Sequence, residues 1–351
     1  MRRWLSLVLA LGCTEFDHPS TVKDLRILAV AAEPSEVILD AGGTIPPVVF
    51  TALVVDPAGR TLDFSVRACA NDPRAPSAPG AGAEASGNYP AGGARSTVGS
   101  ARCPGDGATS WSMPVPVAAG PAGFTFTVQL TAPQLTAAFQ ADVFPGPLGQ
   151  PHGGFDLGLP ITVELAVTAG PDQAVAIKRV IFWRSKLRDD QRPNASPTIA
   201  EVATYPERDQ TTLLPAGPRA VLAADAPATV FVDEQPWIEP VGAQAEPYLT
   251  TVVDRFTDEV RLHEVPAETL RYQFFASAGK FDPWETSSEL PFGATPASRV
   301  PLEGRYHPPA ADTLVADGSG GRSREVRIWI VARDERGGAS WVERRLLVRE
   351  R

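Results

Sequence analysis

Phe124-Thr125-Phe126-Thr127-Val128-Gln129-Leu130 alternates apolar and polar residues without a break, so an extended strand here puts every apolar side chain on one face. The same period of two recurs at Asp63 to Cys69, where Phe64, Val66 and Ala68 oppose Ser65, Arg67 and Cys69. It recurs again in Ile161, Val163, Leu165 and Val167. Further β-prone runs lie at Leu25 to Val30, Val48 to Val55, Trp111 to Val117 and Ala174 to Trp183. Turn signals such as Glu33-Pro34 and Asp56-Pro57-Ala58-Gly59 end them. Helical spacing is confined to Gln134 to Ala141, with Leu135, Ala138 and Phe139 inward. Short alternating strands with one brief helix predict an antiparallel β-sandwich over residues 24–190.

Residues 71–110 are mostly Gly, Ala, Pro, Ser and Asn, too poor in apolar surface to offset their ordering entropy, and predict a long, disordered surface loop. Leu187 to Thr198 has no apolar period and carries two prolines and a charge cluster. A solvated linker at 191–197 and a second sandwich over 198–351 follow from it. Thr198 to Pro206 overlays Arg26 to Pro34 at isoleucine, valine, alanine and proline, as tandem copies of one sandwich type would. Strands are expected at Ala228 to Val232, Leu270 to Ala276, Val326 to Val331 and Ser340 to Val348. The last two are joined by Arg333 to Gly338, whose paired glycines supply the positive φ of a tight hairpin. Val326, Ile328 and Ile330 face one core, and Val342, Leu346 and Val348 can face the same one.

The chain opens with the cationic Met1-Arg2-Arg3, an apolar run from Trp4 to Leu11, and Gly12-Cys13, the layout of a secretory signal peptide over residues 1–12. An apolar run this short cannot cross a bilayer, which takes roughly 20 residues as a helix. Residues 13–23 are polar and aperiodic at first and read as a tether. The formal charge of −9 repels phosphate backbones and disfavours nucleic-acid binding. Of the 3 cysteines, Cys13 belongs to the signal, which leaves Cys69 and Cys103 as a pair. A bridge between them closes a loop of roughly 35 residues, worth about 3–4 kcal/mol by loop entropy. The alternative is two buried thiols.

Ala10-Leu11-Gly12-Cys13 resembles a bacterial lipoprotein signal, with Gly12 and Cys13 matching and Ala10 standing where the family has leucine. The resemblance implies acylation of Cys13 and a cell-envelope location, with the outer membrane favoured. The alternative is a secreted chain with Cys13 unmodified. Leu270 to Asp282 together with the Arg333-Asp334-Glu335-Arg336-Gly337-Gly338 turn resembles the closing strands of bacterial immunoglobulin-like and PKD-like domains. Taken whole, the chain is similar to surface lipoproteins of GC-rich Gram-negative bacteria.

A search for chemistry returns little. Asp317-Gly318-Ser319-Gly320-Gly321 resembles the chymotrypsin-type serine string with Asp and Gly transposed, and none of His18, His152, His263 and His307 sits in that family's base motif. Turn glycines before a strand explain it. No helical histidine pair or Cys-x-x-Cys offers a zinc site. Asp189, Asp190 and Asn194 in the linker are weak calcium candidates, since calcium takes six to eight oxygen ligands. Trp237, Tyr248 and Trp284, expected in loops, are candidates for a sugar-stacking platform or for caps on the sandwich ends. Trp329 and Trp341 can pair across the last hairpin. The expectation is therefore a non-catalytic envelope lipoprotein without cofactor. It is held to the membrane by lipid and has a protein partner in the envelope, with a polysaccharide-binding module as the alternative.

Overall fold

A computed structural model describes residues 17–39, 44–70, 103, 105–120, 123–145, 148–153, 157–209, 215–254, 256–289, 300–318 and 321–351. Among these the fold is all-β apart from one α-helix and a 3-10 turn at Ala311–Thr313. Cys13, the leader before it and the segment 71–102 lie outside the described residues.

The first half contains β1 (Arg26–Glu33), β2 (Glu36–Ile38), β3 (Val48–Val55), β4 (Asp63–Ala70), β5 (Ser110–Met113), β6 (Ala118–Gly120) and β7 (Gly123–Val128). Helix α1 (Ala132–Ala141) follows, then β8 (Val143–Pro145), β9 (Pro151–Gly153), β10 (Leu159–Ala169) and β11 (Asp172–Trp183). One sheet has the order β1-β3-β7-β6 and the other β2-β11-β10-β4-β5. Between them the inward faces meet: Val30, Ala32, Phe50 and Phe126 from the first, Val66, Ala68, Ile161, Val163, Leu165 and Val180 from the second. Phe50 and Phe126 stack with ring centres 5.1 Å apart, a cross-strand pair on adjacent β3 and β7. Helix α1 starts in a capping box, Thr131 with Gln134, and buries Leu135, Ala138 and Phe139.

The second half opens with β12 (Glu201–Tyr205), β13 (Glu207–Arg208), β14 (Pro215–Ala216), β15 (Ala220–Val221), β16 (Ala228–Phe231) and β17 (Trp237–Val241). A separate hairpin, β18 (Tyr248–Val253) with β19 (Val260–Val265), precedes β20 (Leu270–Ala276), β21 (Lys280–Asp282), β22 (Glu285–Ser287) and β23 (Gly304–His307). The chain finishes with β24 (Val315–Ala316), β25 (Arg322–Asp334) and β26 (Ala339–Arg349). Its two main sheets run β15-β12-β17-β23-β21 and β16-β26-β25-β20-β22. Tyr272, Phe274, Phe281 and Tyr306 fill the space between them with Val326, Ile328 and Ile330.

The halves are wound alike. In each, the first strand pairs antiparallel with its neighbour (β1 with β3, β12 with β17), and a short later strand crosses to the other sheet. There it lies parallel to the last strand of that half, β2 on β11 and β16 on β26. No main sheet mixes strands from the two sides of residues 184–200.

Two stretches expected to be solvated are packed. In the tether, Ser20, Thr21 and Val22 are buried, because the chain start pairs with the end of β20 at Ala276. In the linker, Asn194 is 2% exposed, since the segment runs between the two sandwiches and must satisfy its polar groups there.

Candidate functional site

The sandwiches lie side by side, and the junction between them concentrates the buried polar and aromatic groups that neither core uses. Strand β25 is buried on both faces: Val326, Ile328 and Ile330 enter the second core, while Trp329 and Val331 point out of it. With Phe275 of β20 they pack on Leu28, Ala29 and Leu53 of the first sandwich and on Val22. The register of β1 against β3 shifts between Ile27 and Ala29, a bulge that lets consecutive residues Leu28 and Ala29 both face the junction. Each fully buried Leu, Val or Phe contributes about 1.5–3 kcal/mol. The indole of Trp329 donates to Glu343 at 2.9 Å, so its polar edge is satisfied without leaving the patch. Trp329 faces Glu343 and Trp341 faces Val331, so the two tryptophans are diagonal neighbours.

At one end the junction turns polar. Arg336, in the turn between β25 and β26, donates to both oxygens of Glu36, and both side chains are less than a tenth exposed. Its guanidinium also lies 5.0 Å from the ring centre of Tyr248. Asn194 donates to Ser35 Oγ at 3.1 Å and to Asp334 Oδ2 at 3.0 Å, while its backbone N–H donates to Glu36 at 3.2 Å. Gly338 donates to the other Asp334 oxygen at 2.6 Å. A Cβ at Gly338 would meet that carboxylate at 2.1 Å, so only glycine fits the turn. Arg333 reaches across to the Leu28 carbonyl at 2.7 Å.

Burial governs the charges in this seam. It raises the carboxyls of Glu36 and Asp334 despite their cationic and amide partners. Burial, with the negative charge of Asp334 nearby, pushes Glu268 up to about 7. Burial, with the positive charge of Arg333, pushes Lys178 down to about 7. Breaking one partner of such a buried pair costs more than the pair contributes, so the seam fixes how the sandwiches meet more than it stabilises either.

The opposite end is closed by the chain start. Val22 N–H donates to the Ala276 carbonyl and Ala276 N–H to the Ser20 carbonyl, each at 2.8 Å. Ser20 Oγ accepts from Phe281 N–H at 2.8 Å and Thr21 Oγ1 donates to the Gly279 carbonyl at 2.6 Å. His18 Nδ1 lies 2.8 Å from Ser20 Oγ and 3.4 Å from Ser20 N–H, and as the acceptor of the backbone donor it is the unprotonated nitrogen of a neutral imidazole. Burial and the charge of Lys280 lower the pKa of His18, in keeping with that role. Beside Trp329 the sandwiches part around a cleft of about 290 Å³, lined among others by Asp56, Arg60, Phe124, Arg327 and Glu343.

The residues singled out in the sequence are dispersed. Cys69 and Cys103 are bonded, with Cα atoms 5.6 Å apart, and the backbone N–H of Cys103 donates to Glu164 at 3.0 Å. Asp189 and Asp190 are exposed, Asp190 paired with Arg188 at 2.6 Å, whereas Asn194 is buried in the seam, so the three do not converge. Among the described residues no group of three or more His, Cys, Asp or Glu is placed to hold a metal. Trp237 begins β17, with the Arg208 and Arg305 guanidiniums 4.9 and 5.8 Å from its ring. Tyr248 begins β18 in the seam, and Trp284 packs on the second core 6.5 Å from Phe275. They occupy three separate settings instead of one platform. Asp317 N–H closes a turn onto the Gly321 carbonyl at 3.1 Å, and Ser319 lies outside the described residues. Sequence reasoning missed Glu36, Lys178, Asp334 and Arg336. The available signal was a charge set inside an apolar β run, as Lys178 is within Ala174 to Trp183. Set against known proteins, the chain matches no family model, no curated protein and no solved structure.

Proposed function

We propose that the protein is a non-catalytic lipoprotein of the bacterial cell envelope, held to the outer membrane through an acylated Cys13 and serving a structural or protein-binding role at the surface. The observation that carries this reading is the junction. Two similarly wound sandwiches are joined by an apolar patch, a buried polar seam and a paired chain start, which makes them one stiff element suited to presenting surface. Parallel pairing of a short early strand with the last strand in both halves supports the immunoglobulin-like and PKD-like reading. The Cys69 to Cys103 bond suits an oxidising, exported setting.

Metabolic labelling with an alkyne fatty acid tests the anchor. Wild type should label and Cys13→Ala should not; equal labelling of both removes the anchor. Crosslinking in intact cells tests the binding role, with an envelope protein captured by wild type expected. Capture of no protein above the untagged control would leave only the structural role.

A further inference from the structure

We infer that the paired chain start sets how the molecule stands on a membrane: one end of the side-by-side sandwiches faces the phospholipid surface, and the disulfide-tied end faces away. This rests on the acylated Cys13 proposed above. The ends are defined by strand pairing. Ser20 to Val22, the start of β1 at Arg26, the end of β3 at Val55 and the end of β20 at Ala276 lie together. The turn Asp56 to Gly59 follows β3 there, and the β10–β11 turn at Gly170 joins it through the Arg60 to Asp172 ion pair at 2.6 Å. At the other end lie Ser35, the β25–β26 turn and Ala70, which faces Ile161 beside the Cys69 to Cys103 bond.

The length of chain before the pairing limits the geometry. From Cys13 to Ser20 the backbone can span at most about 25 Å however it is arranged. The eight residues of β1 alone extend about 26 Å away from that point. A free tether would let any face approach the lipid. With Ser20, Thr21 and Val22 buried against the second sandwich and Val22 part of the junction patch, the anchor enters at a fixed point, beside the end of the first half and level with Ile328 of β25, which continues past it to Arg322. Three acidic side chains at this end sit in ion pairs, Asp17 with Lys23 and both Asp56 and Asp172 with Arg60, which lessens the repulsion of this end from acidic headgroups. The outward end then displays Ala70 and the Cys69 to Cys103 bond.

Hydrogen exchange of the full-length protein, free and bound to phosphatidylethanolamine/phosphatidylglycerol vesicles, tests this. Binding should slow exchange about threefold or more in the turns 56–60, 169–172 and 277–280 and leave 184–190 unchanged. Equal slowing at both ends, or slowing confined to 184–190, overturns the inference. In a Val22→Asp variant that still floats with vesicles, the difference between the ends should vanish; its persistence also counts against the strap. Mass spectrometry of the mature chain reports acylation separately. If Cys13 proves unmodified, coupling its thiol to a maleimide-headgroup lipid permits the same measurement, so a failed anchor and a failed orientation are told apart.

Discussion

Strands β10 and β25 hold the same place in the two sandwiches, next to last and paired with the last strand, and both are buried on both faces. Their outer faces differ. That of β10 carries Thr162, Glu164 and Ala166, where Cys103 lies against the strand and its backbone N–H donates to Glu164 at 3.0 Å. That of β25 carries Trp329 and Val331 and is covered by the other sandwich. A carboxylate such as Glu164 can take a backbone N–H that needs a hydrogen-bond partner, while a large apolar patch has to be met by another apolar face. One strand arrangement thus serves two purposes, and the outward-facing side chains decide which.

Replacing Trp329 with alanine should break this contrast most severely. Loss of the indole from the centre of the junction should cost about 3–5 kcal/mol, against less than about 1 kcal/mol for Thr168→Ala on β10. Urea unfolding should split into two transitions in the tryptophan variant, and a single unshifted transition would show that the sandwiches do not depend on each other there. Next in size is the double variant Cys69→Ser with Cys103→Ser, expected to lose about 3–4 kcal/mol from the first sandwich alone. Domain-resolved hydrogen exchange checks it, and equal loss of protection in both halves would contradict a purely local cover on β10.

Asn194→Ala removes the side chain that joins Ser35 to Asp334 and should cost about 1–3 kcal/mol by leaving buried groups unpaired. Thermal unfolding measures it. A neutral result would mean that water replaces the amide and that the seam does not hold the junction.

The remaining test is of pH dependence. Glu268, up at about 7 from 4.5, keeps its proton in the folded chain across a range where the unfolded chain has lost it. The stability it contributes is present below pH 4.5 and is lost as pH rises through 7. Lys178, down at about 7 from 10.5, acts in the opposite sense, because the unfolded chain binds the extra proton between those values and stability climbs with pH there. Together they predict a minimum in melting temperature near pH 7. Glu268→Gln should flatten the acid limb and Lys178→Met the alkaline one; an unchanged profile in both variants would place these groups in contact with water.

Much of the fold was legible because alternation is a local signal. The runs at 48–55, 63–69 and 270–276 are strands at those positions, and the short helix buries the three residues assigned to it. Trp237 and Tyr248 were expected in loops but begin strands, since the segments they start carry too little alternation to announce themselves: proline sits inside β17, and β18 buries only Leu249. The junction was less legible still. Trp329 and Val331 are visible as apolar residues on the second face of β25, yet nothing local says that Leu28 and Leu53, about three hundred residues away in the chain, will cover them.

The amino-acid order by itself settled that the chain is β and that two halves begin alike, and it pointed to Cys69 and Cys103 as partners, because period, turn chemistry and cysteine parity act over a few residues or by simple count. Which outer faces meet, which charges are stripped of water and where the chain start lodges were decided only when the two sandwiches came together. Those outcomes depend on shape and desolvation between distant segments, and no short stretch of sequence carries either.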